Sequence, residues 1–408
     1  MRYFLFLGIL LYMFISTTVA AKIGILQVGT YSSFILFVLF VSNIITDVNQ
    51  ALIKRFKLEF RIMFVGIIIV FFKIFIGQSN QINQVLFFVL MPMILSVLVG
   101  FQNKENRKII RYLVLIFFIT ECLLAIYERL FFVNVFPYMD SNAEYYLEDW
   151  AFRSSGFLGH PLSNALCVST MMGFIITSSM KLQTKLVLVI LGFIALLCFN
   201  ARASILVWLF LLLIYIWRVL KDKKTKKIVS FLFLFFFVIS GYLIFKAVND
   251  YGLGGRITNS KINDGSAQTR FEVFDAFSYI SDSDFWCGNG ENYLPIMYKL
   301  GAGGVENSYI VLIINYGLPL SIILLFLYYL FINRFFKQYR LLDKFVIFCS
   351  FILVGSTNNG LVNSAPWTFF ILSVYCFPFF KKENLKRYSV RNKVVNEKML
   401  IKRDNFPQ

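Results

Sequence analysis

Four arginines occupy segments in which they could bind an anionic ligand. Arg202 lies in the sequence NARAS, in a turn of a few residues between two strongly apolar runs, while Arg153, Arg256 and Arg270 lie in longer polar segments. The planar guanidinium group of arginine makes bidentate bonds to phosphate oxygens and stays charged at any physiological pH. Arg153, Arg202 and Arg270 could therefore clamp a diphosphate together, and Arg256, in a glycine-rich stretch, is a fourth and weaker candidate.

Two of these arginines also have simpler explanations. An arginine beside apolar runs can extend its side chain to the membrane surface and contact lipid headgroups, which is the alternative for Arg202. The sequence QTRFEVFDAFSYI, residues 268–280, has helical periodicity that places Arg270 on its apolar side. A cation on that side is expected to bind an anion, and the alternative is an ion pair with a carboxylate of the same loop.

Glu306 and His160 are the candidates for moving a proton. Glu306 stands where a polar segment enters an apolar run, in GGVENSYIVLIINYGL, so that its carboxylate is partly removed from water and is a candidate general base. The alternative is an acidic residue favoured by the dipole of a helix start. His160, in SSGFLGHPLSNA, is a second acid or base candidate, or an interfacial residue beside Pro161, which can start a helix.

A metal or nucleotide site is not expected. Asp282 and Asp284 form a DxD pattern, but two acidic residues arise easily in a polar loop. The chain has one histidine, and its glycine clusters lack a preceding strand and a phosphate-binding lysine. We therefore predict no metal and no cofactor.

The composition excludes a water-soluble globular protein. Of the 408 residues 58% are hydrophobic and 15% are charged, and the apolar runs repeatedly reach the roughly 20 residues that cross a bilayer. The sequence predicts an all-α polytopic membrane protein with about twelve transmembrane helices. The predicted spans are 3–20, 31–46, 60–76, 83–100, 110–133, 160–180, 184–198, 203–219, 228–246, 306–333, 342–357 and 365–380.

The distribution of positive charge predicts the topology. With both termini in the cytoplasm, 30 of the 40 lysines and arginines fall in cytoplasmic segments, as short cytoplasmic loops of membrane proteins require. The net charge of +18 thus reflects orientation beside anionic lipid, and we expect no nucleic-acid partner. Residues 1–380 form a single membrane domain, and residues 381–408 form a basic cytoplasmic tail that is expected to be disordered.

Two outer loops, at about 134–159 and 247–305, are too long to be simple connections, and long loops commonly carry function. Glu121 and Glu128 lie seven residues apart in the fifth span, on one helical face that we expect to pack toward the protein interior. Five of the six cysteines lie in apolar runs and are interpreted as packing residues.

The order of the motifs resembles a known family. RSSGFLGHPLSNA begins a span, NARAS joins two spans, a long outer loop contains TRFEVFDAF and WCGNGENY, and VENSYIVLIINYGL enters the next span. Over about 150–320 this order is similar to that of the O-antigen ligase and polymerase superfamily, which includes the Wzy-type polymerases of bacterial surface polysaccharide. Elsewhere the resemblance extends only to the number of spans.

The resemblance implies a fold and a reaction. It implies a twelve-span fold like that of the C-type glycosyltransferases, and metal-independent transfer of glycans linked to undecaprenyl diphosphate at the outer face of the bacterial cytoplasmic membrane. By motif, Arg153, Arg202 and Arg270 match the arginines of the family. Glu306 stands where ligases usually have a histidine before Asn, which favours a repeat-unit polymerase (O-antigen or capsule) over a lipid A core ligase.

Two other functions remain open. One is a ligase that transfers the glycan to another acceptor, and the other is a flippase or transporter of lipid-linked oligosaccharide. Transporters usually contain internal repeats, which this sequence does not show clearly. The expected partners are the lipid-linked donor and acceptor, membrane lipid, and a chain-length regulator and flippase of the same process.

Overall fold

The computed structural model describes residues 2–16, 19–20, 22, 28–47, 50–78, 82–136, 152–221, 246, 272–300 and 305–377. Within these ranges the chain is mostly helical and contains no β-strand, as the sequence predicts. The α-helices, in chain order, are α1 (Arg2–Phe14), α2 (Val28–Asp47), α3 (Gln50–Arg55), α4 (Lys57–Phe75), α5 (Ile82–Val85), α6 (Met91–Phe101), α7 (Lys104–Phe131), α8 (Pro161–Thr177), α9 (Leu182–Cys198), α10 (Arg202–Lys221), α11 (Ala276–Tyr279), α12 (Asp282–Cys287), α13 (Tyr293–Lys299), α14 (Ser308–Phe336), α15 (Leu341–Phe348), α16 (Val354–Ser356) and α17 (Ser364–Cys376).

Apart from the ninth, each predicted span overlaps a helical segment among the described residues. Single π-helical turns, Leu86–Leu90 and Cys349–Leu353, connect α5 to α6 and α15 to α16. By length and composition, α7 and α14 are each sufficient to cross a membrane, and several of the other helices are apolar but shorter. The ninth predicted span, 228–246, lies almost entirely outside the described residues, and so does the tail 381–408. The count of twelve and the topology stay predictions.

Helix α8 is the centre of the bundle. Every residue from Asn164 to Thr177 is buried, and α8 packs against α9, α15 and α17. The five cysteines of the apolar runs are buried here and in the neighbouring helices, which confirms that they are packing residues, while Cys287 is exposed. On the periphery, by contrast, α4 exposes large apolar side chains such as Phe64, Ile68 and Phe71. An apolar periphery of this kind fits contact with hydrocarbon.

The helices define two opposite ends of the bundle. At one end Glu59, near the start of α4, accepts hydrogen bonds from Arg334, near the end of α14, and from Ser96 (2.9 Å). Arg107, near the start of α7, lies over the ring of Tyr375 at the same end. We call this the Glu59 end. The beginnings of α8, α10 and α14 and the end of α7 lie at the other end, which we call the Arg153 end.

Helix α14 is broken at Gly317, and part of the second long loop packs into the break. The backbone of Gly317 has φ 77° and ψ 163°, and Pro319 follows. Segment 286–288 lies directly against it, and Asn289 N donates to Ile314 O (2.7 Å). The buried Lys73 of α4 holds the same segment by donating to the carbonyl oxygens of Cys287 (3.0 Å) and Gly288 (2.8 Å). This loop segment is therefore part of the packed body of the protein.

The periodicity of residues 268–280 predicts the loop structure only in part. Residues 272–279 are helical, and Val273 and Ala276 are buried in a small apolar cluster with Ile296 and Ile310. A regular α-helix over 268–280 would place Phe274 on the same face as Val273, but Phe274 is 55% exposed, because residues 273–275 form a tighter 3-10 turn before the α-helical turn.

Candidate active site

Arg153 is hydrogen-bonded to the turn between α9 and α10, and Arg202 follows that turn. Arg153 lies in an extended segment, and its Nε donates to the carbonyl oxygen of Phe199 (3.2 Å), while Ser154 N donates to Cys198 O (3.1 Å). Arg202 is the first residue of α10, three positions after Phe199, and both arginine side chains are half-buried. The structure thus places Arg153 beside the turn that leads into Arg202, 49 positions later in the sequence. Joint binding of a diphosphate by the two arginines stays a prediction.

Arg270 and Arg256, the other two predicted diphosphate ligands, lie outside the described residues. Their assignment stays a prediction. The helical turns that follow Arg270 begin at Glu272 and are anchored to the bundle through Val273, which is buried.

His160 immediately precedes α8 and is near enough to Arg153 for the arginine charge to act on it. Pro161 occupies the first position of α8, where its missing N–H leaves no hydrogen bond unmade. Desolvation by the surrounding protein, and secondly the positive charge of Arg153, lower the pKa of His160 to about 4. His160 is therefore neutral at physiological pH, and in that form it can accept a proton.

Glu306 lies at the start of α14, with its side chain half-buried. The next residue, Asn307, caps α14 by accepting hydrogen bonds from Tyr309 N (2.9 Å) and Ile310 N (3.2 Å). Ser308 joins this helix start to the end of α16 by donating to Asn358 O (2.7 Å). Asn307 therefore supplies the side-chain cap of this helix.

The segment 355–361 connects the start of α14 to α8. A Cβ added to Gly360 would lie 2.4 Å from the side chain of Leu166, in the second turn of α8. In the same segment, Asn358 O accepts the hydrogen bond of Ser308, and Leu361 N donates to Ser308 Oγ (3.1 Å). The first turns of α8 and α14, which follow His160 and Glu306 in the chain, consequently contact one tightly packed segment at the Arg153 end.

An apolar cavity of about 270 Å³ begins beside this helix start. Ser308 and Tyr309 line it at the Arg153 end. The aromatic side chains of Tyr328, farther along α14, and of Trp367, in α17, also line it. Its lining is almost entirely apolar, so that it suits hydrocarbon better than sugar or phosphate.

Two acidic residues of α7 bind the backbone at the Arg153 end, a role that was not predicted from the sequence. Glu121 and Glu128 are completely buried, which confirms their predicted inward orientation, and both accept hydrogen bonds from the backbone of the segment that carries Arg153. Their spacing within an apolar run was the available signal, but it did not identify the segment they bind. Within the described ranges, no group of three or more residues that could hold a metal ion is found.

Comparison with known proteins adds one match. No curated protein and no solved structure matched the chain. Residues 187–325, about a third of the chain, match the family described as O-antigen ligase. The matched region contains Arg202, the second long loop, Glu306 and the first half of α14. This match supports the resemblance of the chain to the O-antigen ligase and polymerase superfamily, without distinguishing a ligase from a polymerase.

Proposed function

We propose that this protein is a polymerase that joins oligosaccharide repeat units linked to undecaprenyl diphosphate. The reaction moves a growing glycan from its lipid diphosphate onto a sugar hydroxyl of another lipid-linked repeat unit. A glycosidic bond forms, the bond between sugar and diphosphate breaks, and the hydroxyl proton leaves. The observation that supports the proposal is that Arg153 binds the carbonyl oxygen of Phe199, three positions before Arg202.

The arginines act on the leaving group. As the bond to the sugar breaks, negative charge develops on the diphosphate, and guanidinium groups that are already in place stabilise that charge. Arg270 and Arg256 are proposed as further ligands of the diphosphate. The apolar cavity beside Tyr309 suits the hydrocarbon chain of the same lipid.

Glu306 and His160 act on the proton. Glu306 is proposed as the general base that accepts it from the attacking hydroxyl. His160, with a pKa of about 4, stays neutral and is the second candidate acceptor. Neither role requires a metal ion or a cofactor.

The proposed setting follows from the charge distribution and the family match. The O-antigen ligase family is a family of bacterial inner-membrane proteins. We place the Arg153 end at the outer face of that membrane and the Glu59 end, with the basic tail, in the cytoplasm. The proposed partners are the lipid-linked donor and acceptor, together with a flippase and a chain-length regulator.

Chemical analysis of the surface glycan in a deletion strain tests the proposal. A polymerase deletion should leave glycan that carries a single repeat unit, and plasmid-borne wild-type protein should restore long chains. Glu306→Gln, which keeps the size of the side chain but cannot accept a proton, should reach normal levels in the membrane and yield only single repeat units.

Other results would identify another function. A ligase is the second candidate, since the matched family is described as O-antigen ligase. Long glycan that stays on the lipid carrier in the deletion strain would establish the ligase and reject the polymerase. Absence of any exported glycan would instead indicate a flippase. Wild-type chain lengths from Glu306→Gln would remove Glu306 as the base and transfer the role to His160.

A further inference from the structure

Glu128 is a completely buried carboxylate to which the proposed reaction gives no role. It lies in the last turn of α7 and its two oxygens accept four hydrogen bonds. Oε2 accepts from Ser155 N (2.7 Å) and Gly156 N (2.9 Å), and Oε1 accepts from Ser155 Oγ (3.0 Å) and Val135 N (2.8 Å). Four bonds fill the acceptor capacity of a carboxylate. Three of the donors are backbone N–H groups: Ser155 N and Gly156 N bind one oxygen, and Val135 N binds the other. Both oxygens must therefore act as acceptors to keep all three bonds.

Two of the three residues held by Glu128, Ser155 and Gly156, lie between Arg153 and His160. Two other side chains bind the next residues of this segment: Glu121 accepts from Phe157 N (3.0 Å), and Asn164 accepts from Leu158 N (3.3 Å). The backbone N–H groups of residues 155–158 are thus bound to side chains of α7 and α8. An extended segment without a neighbouring strand must find its hydrogen-bond partners in this way.

The segment also lies in direct contact with α7. Gly156 has φ +56°, and a Cβ added to it would lie 2.0 Å from Glu121 Oε1. No side chain fits between the segment and the helix. Helix α7 consequently helps to set the positions of Arg153 and His160, although it contributes no side chain to the proposed chemistry.

We propose that Glu128 is a positioning residue, whose carboxylate holds the backbone at Ser155 and Gly156 and thereby orients Arg153 and His160 toward the substrate. The inference rests on the proposed function for the identity of the substrate. Glu128 itself does not touch the reacting atoms, because its acceptor positions are occupied by the protein.

Three substitutions of Glu128 separate positioning from catalysis. In Glu128→Gln the amide oxygen can replace Oε2 and keep the bonds from Ser155 N and Gly156 N, and Ser155 Oγ can rotate to accept from the new NH2 group. Only Val135 N, which lies outside the segment between Arg153 and His160, loses its acceptor. Glu128→Asp keeps the charge but is one C–C bond, about 1.5 Å, shorter, so that the carboxylate no longer reaches the segment. Glu128→Ala removes the acceptor altogether. Positioning predicts that Gln functions better than Asp, whereas a role for the charge predicts the reverse.

Hydrogen exchange of purified full-length protein measures the positioning without any substrate. The amides of Ser155 and Gly156 should exchange slowly in the wild type and in Glu128→Gln, and much faster in Glu128→Asp and Glu128→Ala. Transfer assays with a purified lipid-linked donor then measure the consequence. A misplacement of about 1 Å can lower a rate by about 10²-fold, so kcat should fall on that order in the Asp and Ala variants and only a few-fold in Gln.

Two controls keep the test specific. Glu59→Gln removes a buried carboxylate at the opposite end, and it should leave kcat and the exchange of residues 155–156 unchanged. Gly156→Ala changes the segment instead of the helix, because the added Cβ would collide with Glu121 and displace the segment. It should reproduce the effects of Glu128→Ala, and it provides the test if Glu128→Ala does not accumulate. In an Arg153→Ala, His160→Ala background, Glu128→Asp should lower the remaining rate little further.

Several results would overturn the inference. Glu128→Gln with the activity of Glu128→Ala, or Glu128→Asp with wild-type activity, would show that charge rather than placement matters. Rapid exchange at Ser155 and Gly156 with an unchanged kcat would show that the attachment does not serve the reaction. Failure of the proposed function is distinguishable from these outcomes, since the wild-type protein would then not transfer the glycan at all.

Discussion

Replacement of Gly317 by alanine tests whether the second long loop is docked into the break of α14. Gly317 has φ 77° and ψ 163°, a region of backbone conformation that essentially only glycine occupies, at a cost of about 1–3 kcal/mol for other residues. The added Cβ would also lie 2.3 Å from Trp286 O. This atom belongs to the backbone and cannot rotate away, so the loop must withdraw by about 1 Å to reach van der Waals contact.

The cost of that withdrawal can be worked out from the bonds that hold the loop. Asn289 N donates to Ile314 O (2.7 Å), a bond worth about 1 kcal/mol. Lys73 Nζ donates to Gly288 O (2.8 Å), and hydrogen bonds to charged groups contribute about 1.5–3 kcal/mol. Together with the backbone term, Gly317→Ala should destabilise the docked loop by at least about 3.5 kcal/mol, which corresponds to at least two to three powers of ten in the equilibrium between docked and open forms.

Gly77→Ala is the matched control. Gly77 also has a positive φ, +80°, but no atom lies within 4 Å of the position that its Cβ would take. This variant therefore carries the conformational cost of about 1–2 kcal/mol without the steric conflict. Comparison of the two variants isolates the contact with the loop.

Hydrogen exchange followed by mass spectrometry measures the effect at the Asn289 amide. In Gly317→Ala that amide should exchange roughly 10²- to 10³-fold faster than in the wild type, while α7 and α8 keep their protection. In Gly77→Ala its exchange should stay close to that of the wild type. Equal exchange at Asn289 in both variants would refute the docking of segment 286–288 at Gly317.

The remaining predictions concern charged groups at the two ends. Arg153→Lys and Arg202→Lys keep the charge but lose the bidentate fork, so each should reduce polymerisation while protein abundance stays near normal; full activity in both would reject the diphosphate clamp. Because the folded protein keeps the pKa of His160 near 4, below the roughly 6.5 of an unperturbed histidine, the unfolded state binds the proton first as the pH falls. Stability should thus rise with pH between about 4 and 6.5, and thermal unfolding of His160→Gln should lack this component; an identical pH dependence in both proteins would contradict the shift. Glu59→Gln leaves Arg334 without its buried carboxylate and should cost about 3 kcal/mol of stability in thermal unfolding, with transfer per folded molecule unchanged; a loss of transfer would show that the two ends are coupled.

The helices were predictable because their signals are local. Span five was predicted at 110–133 and the helix runs from Lys104 to Phe131; span ten was predicted at 306–333 and the helix runs from Ser308 to Phe336. A run of apolar residues specifies a helix wherever the backbone cannot bond to water. The few residues of difference at the ends come from the caps, since Asn103 and Asn307 each accept a backbone N–H in the first turn and determine where the helix starts.

The break of α14 shows where a local signal was insufficient. Gly317 and Pro319 are visible in the sequence, but each is tolerated within long apolar helices. The break occurs at Gly317 because segment 286–288 occupies the space that a side chain there would fill. That contact joins positions about thirty residues apart, and no periodicity records it.

For the candidate site, the sequence is enough to predict which charged and titratable residues lie at the helix ends. Arg202 begins a helix, His160 precedes one and Glu306 precedes another, and all three positions follow from apolar run lengths and turn residues. Only tertiary packing brings Arg153 to the carbonyl oxygen of Phe199, near Arg202 in the chain. Only tertiary packing likewise brings Glu128 to the segment between Arg153 and His160. The physical reason is that side-chain hydrogen bonds act over about 3 Å, so they depend on which helices become neighbours, whereas hydrophobic run length and charge act on each segment separately.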